Sequence, residues 1–383
     1  MSMIRGGAAN LASRVRMELD DARAAGAFSA AAVAIAVAGE TNVVEAVGEL
    51  AVVDDAGAPI PAENRERADK TTLFDLASVT KVYSAHTLLR LVEAGALALD
   101  EPIGTWLPAY RNGLKRTVTL RHLLTHTSGL PASWDGWRAP LARLLMDHPD
   151  AIWHETPLTD REGLRADLEE TPLQAEPGNR WEYACTGFNT AMLVAEQATG
   201  RPWEDLLHAE TLDPLGLTET TARPVRQRVA ATEWQPELRR GTIRGVVHDE
   251  SSWSLGGGTA NAGLFASVTD VLAFAEAIRV GRSEPMKSLM WEDQLGSILG
   301  SSDSPGHPGF GASLGLRIGE TSWMGRSAAS VRGHTGFTGT SIAMDRQNQS
   351  TIALLTNRVH PSRVNDGVHR LRGRIVDIIR EQF

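Results

Sequence analysis

The stretch "DLASVTKVYSA", Asp75–Ala85, places Ser78 three residues before Lys81 inside an apolar, helix-patterned run. The chain has four lysines among its 383 residues, so one on the apolar side of a helix asks for an explanation. A buried ammonium is costly unless its chemistry is used. Residues three apart share a helix face, so the amine can reach the serine oxygen. Serine is a weak nucleophile until a base takes its proton. A desolvated lysine shifts toward the neutral amine, which could shuttle that proton. Ser-x-x-Lys also recurs by chance, so the rest of the chain has to decide.

The bulk composition excludes several classes. Hydrophobic residues make up 42% and charged residues 22%, as in ordinary globular proteins, and the length suits one large domain or two smaller ones. A formal net charge of −9 gives nucleic-acid binding no support. Cys185 is the single cysteine, which rules out an intrachain disulfide. No run reaches the length of a membrane helix. "AGAFSAAAVAIAVA" (Ala25–Ala38) is preceded by Glu18, Asp20 and Asp21 rather than by a basic segment, so it reads as a buried strand and not a signal peptide. A cytoplasmic protein without a membrane or nucleic-acid partner is the expectation.

Along the chain, an amphipathic helix is predicted over Leu11–Ala25. Two β-rich runs over Ala31–Leu50 follow, joined as a hairpin at Gly39-Glu40-Thr41. Residues 51–70 read as loop. Helical periodicity begins near Ser78 and runs to Leu97. "TLRHLLTHTSGLP" (Thr119–Pro131) reads as a helix stopped by Gly129 and Pro131, and residues 132–180 as irregular. Helices are predicted over Thr186–Gly200, over Ser267–Gly281 with Ser267 or Thr269 as cap, and over Val364–Gln382. "GASLGLRIG", "GTSIAMD" and "STIALLTN" read as strands. Strands at both ends with helices between predict an α+β fold: an antiparallel sheet built from both termini and a largely helical insertion. The expected division is 1–72 with 284–383 as the sheet subdomain and 73–283 as the helical one, with the active site at their junction.

Two further stretches bear on the serine. "PGNRWEYACTGFN" (Pro177–Asn189) sets Tyr183 just before a helix, and "RGHTGFTGTSIAMD" (Arg332–Asp345) has His334-Thr335-Gly336 feeding a strand. With "LFDLASVTK", "LLTHTSGLP", "VHDE" and "GLFASVTDVLAF" in order, the chain over residues 28–380 resembles the serine β-lactamase and penicillin-binding-protein superfamily. The resemblance is to its branch of class C β-lactamases, D-alanyl-D-alanine carboxypeptidases and family VIII esterases.

That resemblance implies roles. Ser78 would be the acylated nucleophile and Lys81 would accept or relay its proton. Tyr183, its phenol acidified by the nearby ammonium, would be a second base that protonates the leaving group. His334 would line the opposite wall, where the family often has lysine. Thr335 and Gly336 would begin the strand along which substrate lies. The backbone N–H groups of Ser78 and Phe337 would form the oxyanion hole, such donors stabilising developing charge by about 3–4 kcal/mol each. The departure is Cys185. The family's second motif is commonly Tyr-x-Asn, whose amide contacts the substrate's acylamino group and helps hold the lysine. A thiol is weak as donor and acceptor, so β-lactam and D-alanyl peptide recognition is put in doubt and ester hydrolysis is left.

Other motifs compete. "GASLG" (Gly311–Gly315) matches the Gly-x-Ser-x-Gly elbow, which needs strand, sharp turn and helix. Here Leu314, Leu316 and Ile318 alternate as one strand, so Ser313 is read as idle. Family VIII esterases are known for carrying such a motif. Cys185 as a nucleophile is set against a small buried side chain. His122 and His126, four apart, lack a third ligand nearby and are read as packing or capping residues rather than metal ligands. "SLGGGTANAGLF" lacks the nucleotide-binding spacing. Trp134, Trp137 and Trp153 either line an acyl pocket or pin a long loop. The expectation is a serine hydrolase without cofactor or metal, acting on small acyl esters through a Ser78 acyl-enzyme. Its alternatives are a β-lactamase or D-amino-acid peptidase, and a non-hydrolytic acyl-binding or sensor module.

Overall fold

The computed structural model describes residues 2–281, 287–326, 328–365 and 367–383. One seven-stranded antiparallel sheet organises them. Its strands, in chain order, are β1 (Ala30–Val37), β2 (Glu40–Gly48), β3 (Gly311–Ala312), β4 (Arg317–Ile318), β5 (Val331–Thr335), β6 (Ser341–Asp345) and β7 (Ser350–Thr356). They lie in the order β2-β1-β7-β6-β5-β4-β3. The two ends of the chain meet where β1 pairs with β7, Ala31 opposite Thr356.

β1 reads AAAVAIAV and is buried throughout, because both sheet faces are covered. Ala31, Val33, Ile35 and Val37 face one core with Leu11, Val15 and Leu19 of helix α1 (Ser2–Ala24) and Leu371 and Ile375 of the C-terminal helix. Ala30, Ala32, Ala34 and Ala36 face the larger core. Strand periodicity of two sorts the residues, and the small alanines let a helical layer approach closely. The sheet from both termini is as predicted, with the hairpin turn at Ala38-Gly39, one residue earlier than expected.

Helix α2 (Thr80–Glu93) buries 11 of its residues and runs through the larger core. Its hydroxyls bond back along the helix, Ser84 to the Thr80 carbonyl at 3.1 Å and Thr87 to that of Tyr83 at 3.0 Å, which satisfies them without water. Tyr83 stacks on Phe274 at 3.7 Å. Beside α2 lie α3 (Cys185–Thr199) and α4 (Val268–Val280), the latter capped by Ser267 as predicted. α4 falls in the segment expected to be helical insertion, yet it packs on β1, β6 and β7. The expected boundary at 283/284 lies outside the described residues. The C-terminal helix, α5, spans Val368–Gln382.

Helix α1 begins nine residues before its predicted start, and three other predicted elements differ. The helix expected over Thr119–Pro131 spans only Leu120–Leu124. His126 leaves it with φ +60°, and its carbonyl and that of Thr127 accept the amides of Glu182 and Gly178 at 2.8 Å each. Tertiary hydrogen bonds replace the helical ones. Residues 132–180 are not all irregular, since Arg138–Asp147 and Arg161–Glu170 are helices. "GASLGLRIG" is not one strand but a hairpin, β3 against β4, with Leu314 and Leu316 buried in its turn. The alternation reflected burial, not an extended backbone.

Candidate active site

Ser78 sits in a 3-10 turn, Ala77–Val79, directly before α2. Ala77 holds φ +44°, a left-handed conformation costly for a residue with a Cβ. Three tethers over-determine it. The Ala77 amide donates to Asp75 Oδ1 at 2.8 Å. The hydroxyls of Thr338 and Thr340 donate to the Asp75 and Leu76 carbonyls at 2.7 and 2.8 Å. Gly336 is required beside them, because a Cβ there would lie 2.5 Å from the Leu76 carbonyl oxygen and 2.1 Å from Thr340 Oγ1. The "HTGFTGT" segment therefore braces the turn that presents Ser78.

Lys81 is wholly buried. Its Nζ donates to Ser78 Oγ at 3.0 Å and to the Asn261 carbonyl at 3.0 Å, and lies 3.3 Å from Cys185 Sγ. Burial alone would lower its pKa, but the acidic neighbours Cys185, Tyr183 and Asp249 outweigh it and hold the ammonium above its ordinary range. The expected drift toward the neutral amine is opposed: desolvation is present, and the neighbouring groups favour the charged form.

Tyr183 packs beside the ammonium, with its ring centroid 5.0 Å from Lys81 Nζ. The segment that carries it is held at both ends by one residue: the Glu182 amide donates to the His126 carbonyl at 2.8 Å and the Ala184 amide to His126 Nδ1 at 3.1 Å. His126 also packs on Tyr183 at 4.6 Å. Burial raises the Tyr183 phenol, and the Lys81 charge with hydrogen bonding to Lys81 and Ser78 pulls it only part of the way back. The expected acidified phenol is thus overridden by desolvation.

His334 and Thr335 end β5 rather than begin a strand, because the chain turns at Gly336–Thr340 before β6. His334 is buried, and its Nδ1 donates to the Thr335 carbonyl at 2.8 Å, which leaves Nε2 as an acceptor with no partner among the described residues. Burial, then the charges of Arg317 and Lys81, push it well below the usual histidine range, so the ring is neutral. It lies 6.0 Å from Tyr183.

The sequence-predicted Ser78, Lys81, Tyr183, Cys185 and His334 converge here. Thr335 is half-buried at the strand end, and Phe337 is exposed, 5.7 Å from the His248 ring on which it stacks. Arg317 was missed: β4 pairs it with Gly333, and its guanidinium stands 5.1 Å from the Tyr183 ring and near Trp181 and Phe310. Nothing local in the sequence marks it. Asn261 was missed for the same reason.

The competing motifs lie elsewhere. Ser313 is buried and its hydroxyl donates to the Met290 carbonyl at 2.9 Å. His122 forms a reciprocal cap with Thr119. Trp134 and Trp137 are buried among Leu141, Leu164 and Leu168, with Trp134 Nε1 donating to Asp167 at 2.6 Å, so they pin the long segment. Among the described residues no cluster could hold a metal ion, and no helix is long and apolar enough to cross a membrane.

Solved structures share this fold. EstCE1, a hydrolase with promiscuous acyltransferase activity, superposes with TM-score 0.72 at 22% identity, over 97% of this chain and 99% of its own. A D-amino acid amidase from Ochrobactrum anthropi SV3 gives 0.67 at 20%, over 97% and 99%. At the sequence level, an Escherichia coli (strain K12) protein provisionally named a D-alanyl-D-alanine carboxypeptidase is 28% identical over 322 residues, 78% of this chain and 72% of that one. The β-lactamase family model matches residues 15–375, nearly the whole chain, and the protein belongs to that family of serine hydrolases.

Proposed function

We propose that this enzyme hydrolyses small acyl esters through an acyl-enzyme on Ser78. The observation that carries the reading is the hydrogen bond from Lys81 Nζ to Ser78 Oγ, made beside Tyr183. Lys81 and Tyr183 act as one titrating unit. When the pair has lost one proton, it takes the proton of Ser78, and the oxygen attacks the ester carbonyl. The amides of Ser78 and Phe337 receive the developing oxyanion. The pair then protonates the departing alkoxide. Water, deprotonated by the same pair, releases the acid and restores Ser78.

The ester preference rests on Cys185. It lies 3.3 Å from Lys81, and by the resemblance it stands where an amide would hold the lysine and meet an acylamino group. A thiol offers weak donor and acceptor strength for a β-lactam or D-alanyl peptide. A reactive ester needs less orientation. The cytoplasmic expectation stands as part of this proposal. A panel of aryl esters, nitrocefin and D-alanyl peptides tests it, with a phosphonate probe that should add its mass to a peptide containing Ser78. Turnover of D-alanyl peptides above aryl esters would replace the esterase by a carboxypeptidase, and labelling at Ser313 would remove the site.

A further inference from the structure

The string Val247-His248-Asp249-Glu250 has no part in the chemistry above, yet its Asp249 is linked to Lys81 through Asn261 and its charge favours the ammonium. Asp249 Oδ1 accepts the Ser252 amide at 2.8 Å and so caps the short helix Glu250–Ser254. The same oxygen accepts the Ser251 hydroxyl at 2.7 Å and Asn261 Nδ2 at 3.2 Å.

Asn261 is wholly buried, and each of its polar groups is engaged. Its amide donates to Asn189 Oδ1 at 3.2 Å, its Oδ1 lies 2.6 Å from the hydroxyls of both Ser252 and Thr259, and its carbonyl accepts Lys81 Nζ. The chain can return to this point because Gly256, Gly257 and Gly258 take φ +101°, +83° and +50°. A buried side chain whose own polar groups are all engaged is held rigidly. The carbonyl facing Lys81 is therefore fixed by its own side chain.

We propose that Asp249 and Asn261 are positioning residues for acylation: Asn261 fixes the carbonyl that aims Lys81 at Ser78, and Asp249 locks Asn261 and sets a negative charge behind the ammonium. The proposal rests on the Ser78–Lys81 reading of the site. The other titratable and charged groups facing Lys81 are Tyr183, Cys185, His126 and His334, with Arg317 beyond them. Those facing Asp249 are Asp75, Glu250 and Arg240. Among them Asp249 is held below the ordinary carboxylate range. Burial opposes this, but hydrogen bonds from Ser252 and Ser251 and the Lys81 charge prevail.

The test is the rate of Ser78 acylation by a phosphonate probe, per titrated active site, across pH. Asp249→Asn keeps an N-cap acceptor and removes the charge. The midpoint of its alkaline limb should fall by at least about half a pH unit, because Lys81 has lost a counter-charge. Asn261→Ala frees the carbonyl and should slow acylation about tenfold or more, the size of a misaligned group. Folded variants that acylate at the wild-type rate with an unmoved midpoint overturn the proposal, even if they melt earlier. If Asp249→Asn does not fold, Asn261→Ala decides by the same criterion. A label on any residue other than Ser78 sinks the parent reading instead.

Discussion

Lys81 and His334 are both basic residues sealed in one site, and burial acts on them with the same sign. They end in opposite states. Lys81 touches Ser78, Asn261 and Cys185, and acidic groups surround it, so its ammonium is favoured. His334 faces Arg317, Lys81 and His126, its Nε2 has no partner among the described residues, and burial with these charges keeps its ring neutral. The difference teaches that burial alone does not fix the outcome: at Lys81 the neighbours oppose it and favour the charged form, and at His334 they add to it and favour the neutral form.

The largest effects test the Lys81 side. Ser78→Ala should abolish ester turnover, a loss on the order of a thousandfold or more. Lys81→Ala and Tyr183→Phe should each cost on the order of a hundredfold in acylation, and the double change little more than the worse single one. Near wild-type turnover in Tyr183→Phe would remove it from the mechanism.

The pH dependence sharpens the contrast. Because Lys81 is held as ammonium, kcat/KM should climb with pH above 7 toward an alkaline plateau, about tenfold per unit on the slope. A plateau already reached at neutral pH would restore the neutral lysine. On the histidine side, the folded-state pKa is depressed, so below about pH 6.5 the unfolded chain takes protons that the folded one refuses. Stability should therefore fall as pH drops from that point. His126 adds to the same slope, as do His86 and His360, each pushed down to about 4 by burial. Urea unfolding at stepped pH should show the slope, and His334→Gln should flatten part of it. An unchanged slope would mean that His334 is not held neutral.

Smaller effects follow. Cys185→Asn restores an amide beside Lys81. It should raise the ratio of nitrocefin to aryl-ester acylation about fivefold, near 1 kcal/mol for one hydrogen bond. A ratio that stays or falls moves suspicion to His334. Ser313→Ala should leave turnover unchanged and cost about 1 kcal/mol of stability for its lost bond to Met290. A measurable loss of kcat would show that the "GASLG" serine is not idle.

The convergence of Ser78, Lys81 and Tyr183 was legible because it is written in spacing and in ordered motifs. Helical period puts Ser78 over Lys81, and strand period splits β1 between two cores. Both are local rules that a sequence displays. His126 was legible as a packing residue, but not that it grips both ends of the Tyr183 segment, since its partners lie 56 and 58 residues away.

By itself, then, the sequence determined the antiparallel sheet from both termini and the family, and it pointed to the groups proposed to react. Only the tertiary structure decided their protonation. Against the pull of burial, the Lys81 ammonium is favoured by its neighbours Cys185, Tyr183 and Asp249, whereas the neutral Tyr183 phenol is favoured by burial, which outweighs the Lys81 charge. It also decided where helices end, because His126 and Thr127 spend their carbonyls on residues 182 and 178 rather than on the next turn. Arg317 and Asn261 belong to the site for the same reason: pairing of β4 with β5 and the turn through Gly256–Gly258 bring them there, and no local pattern records such an encounter.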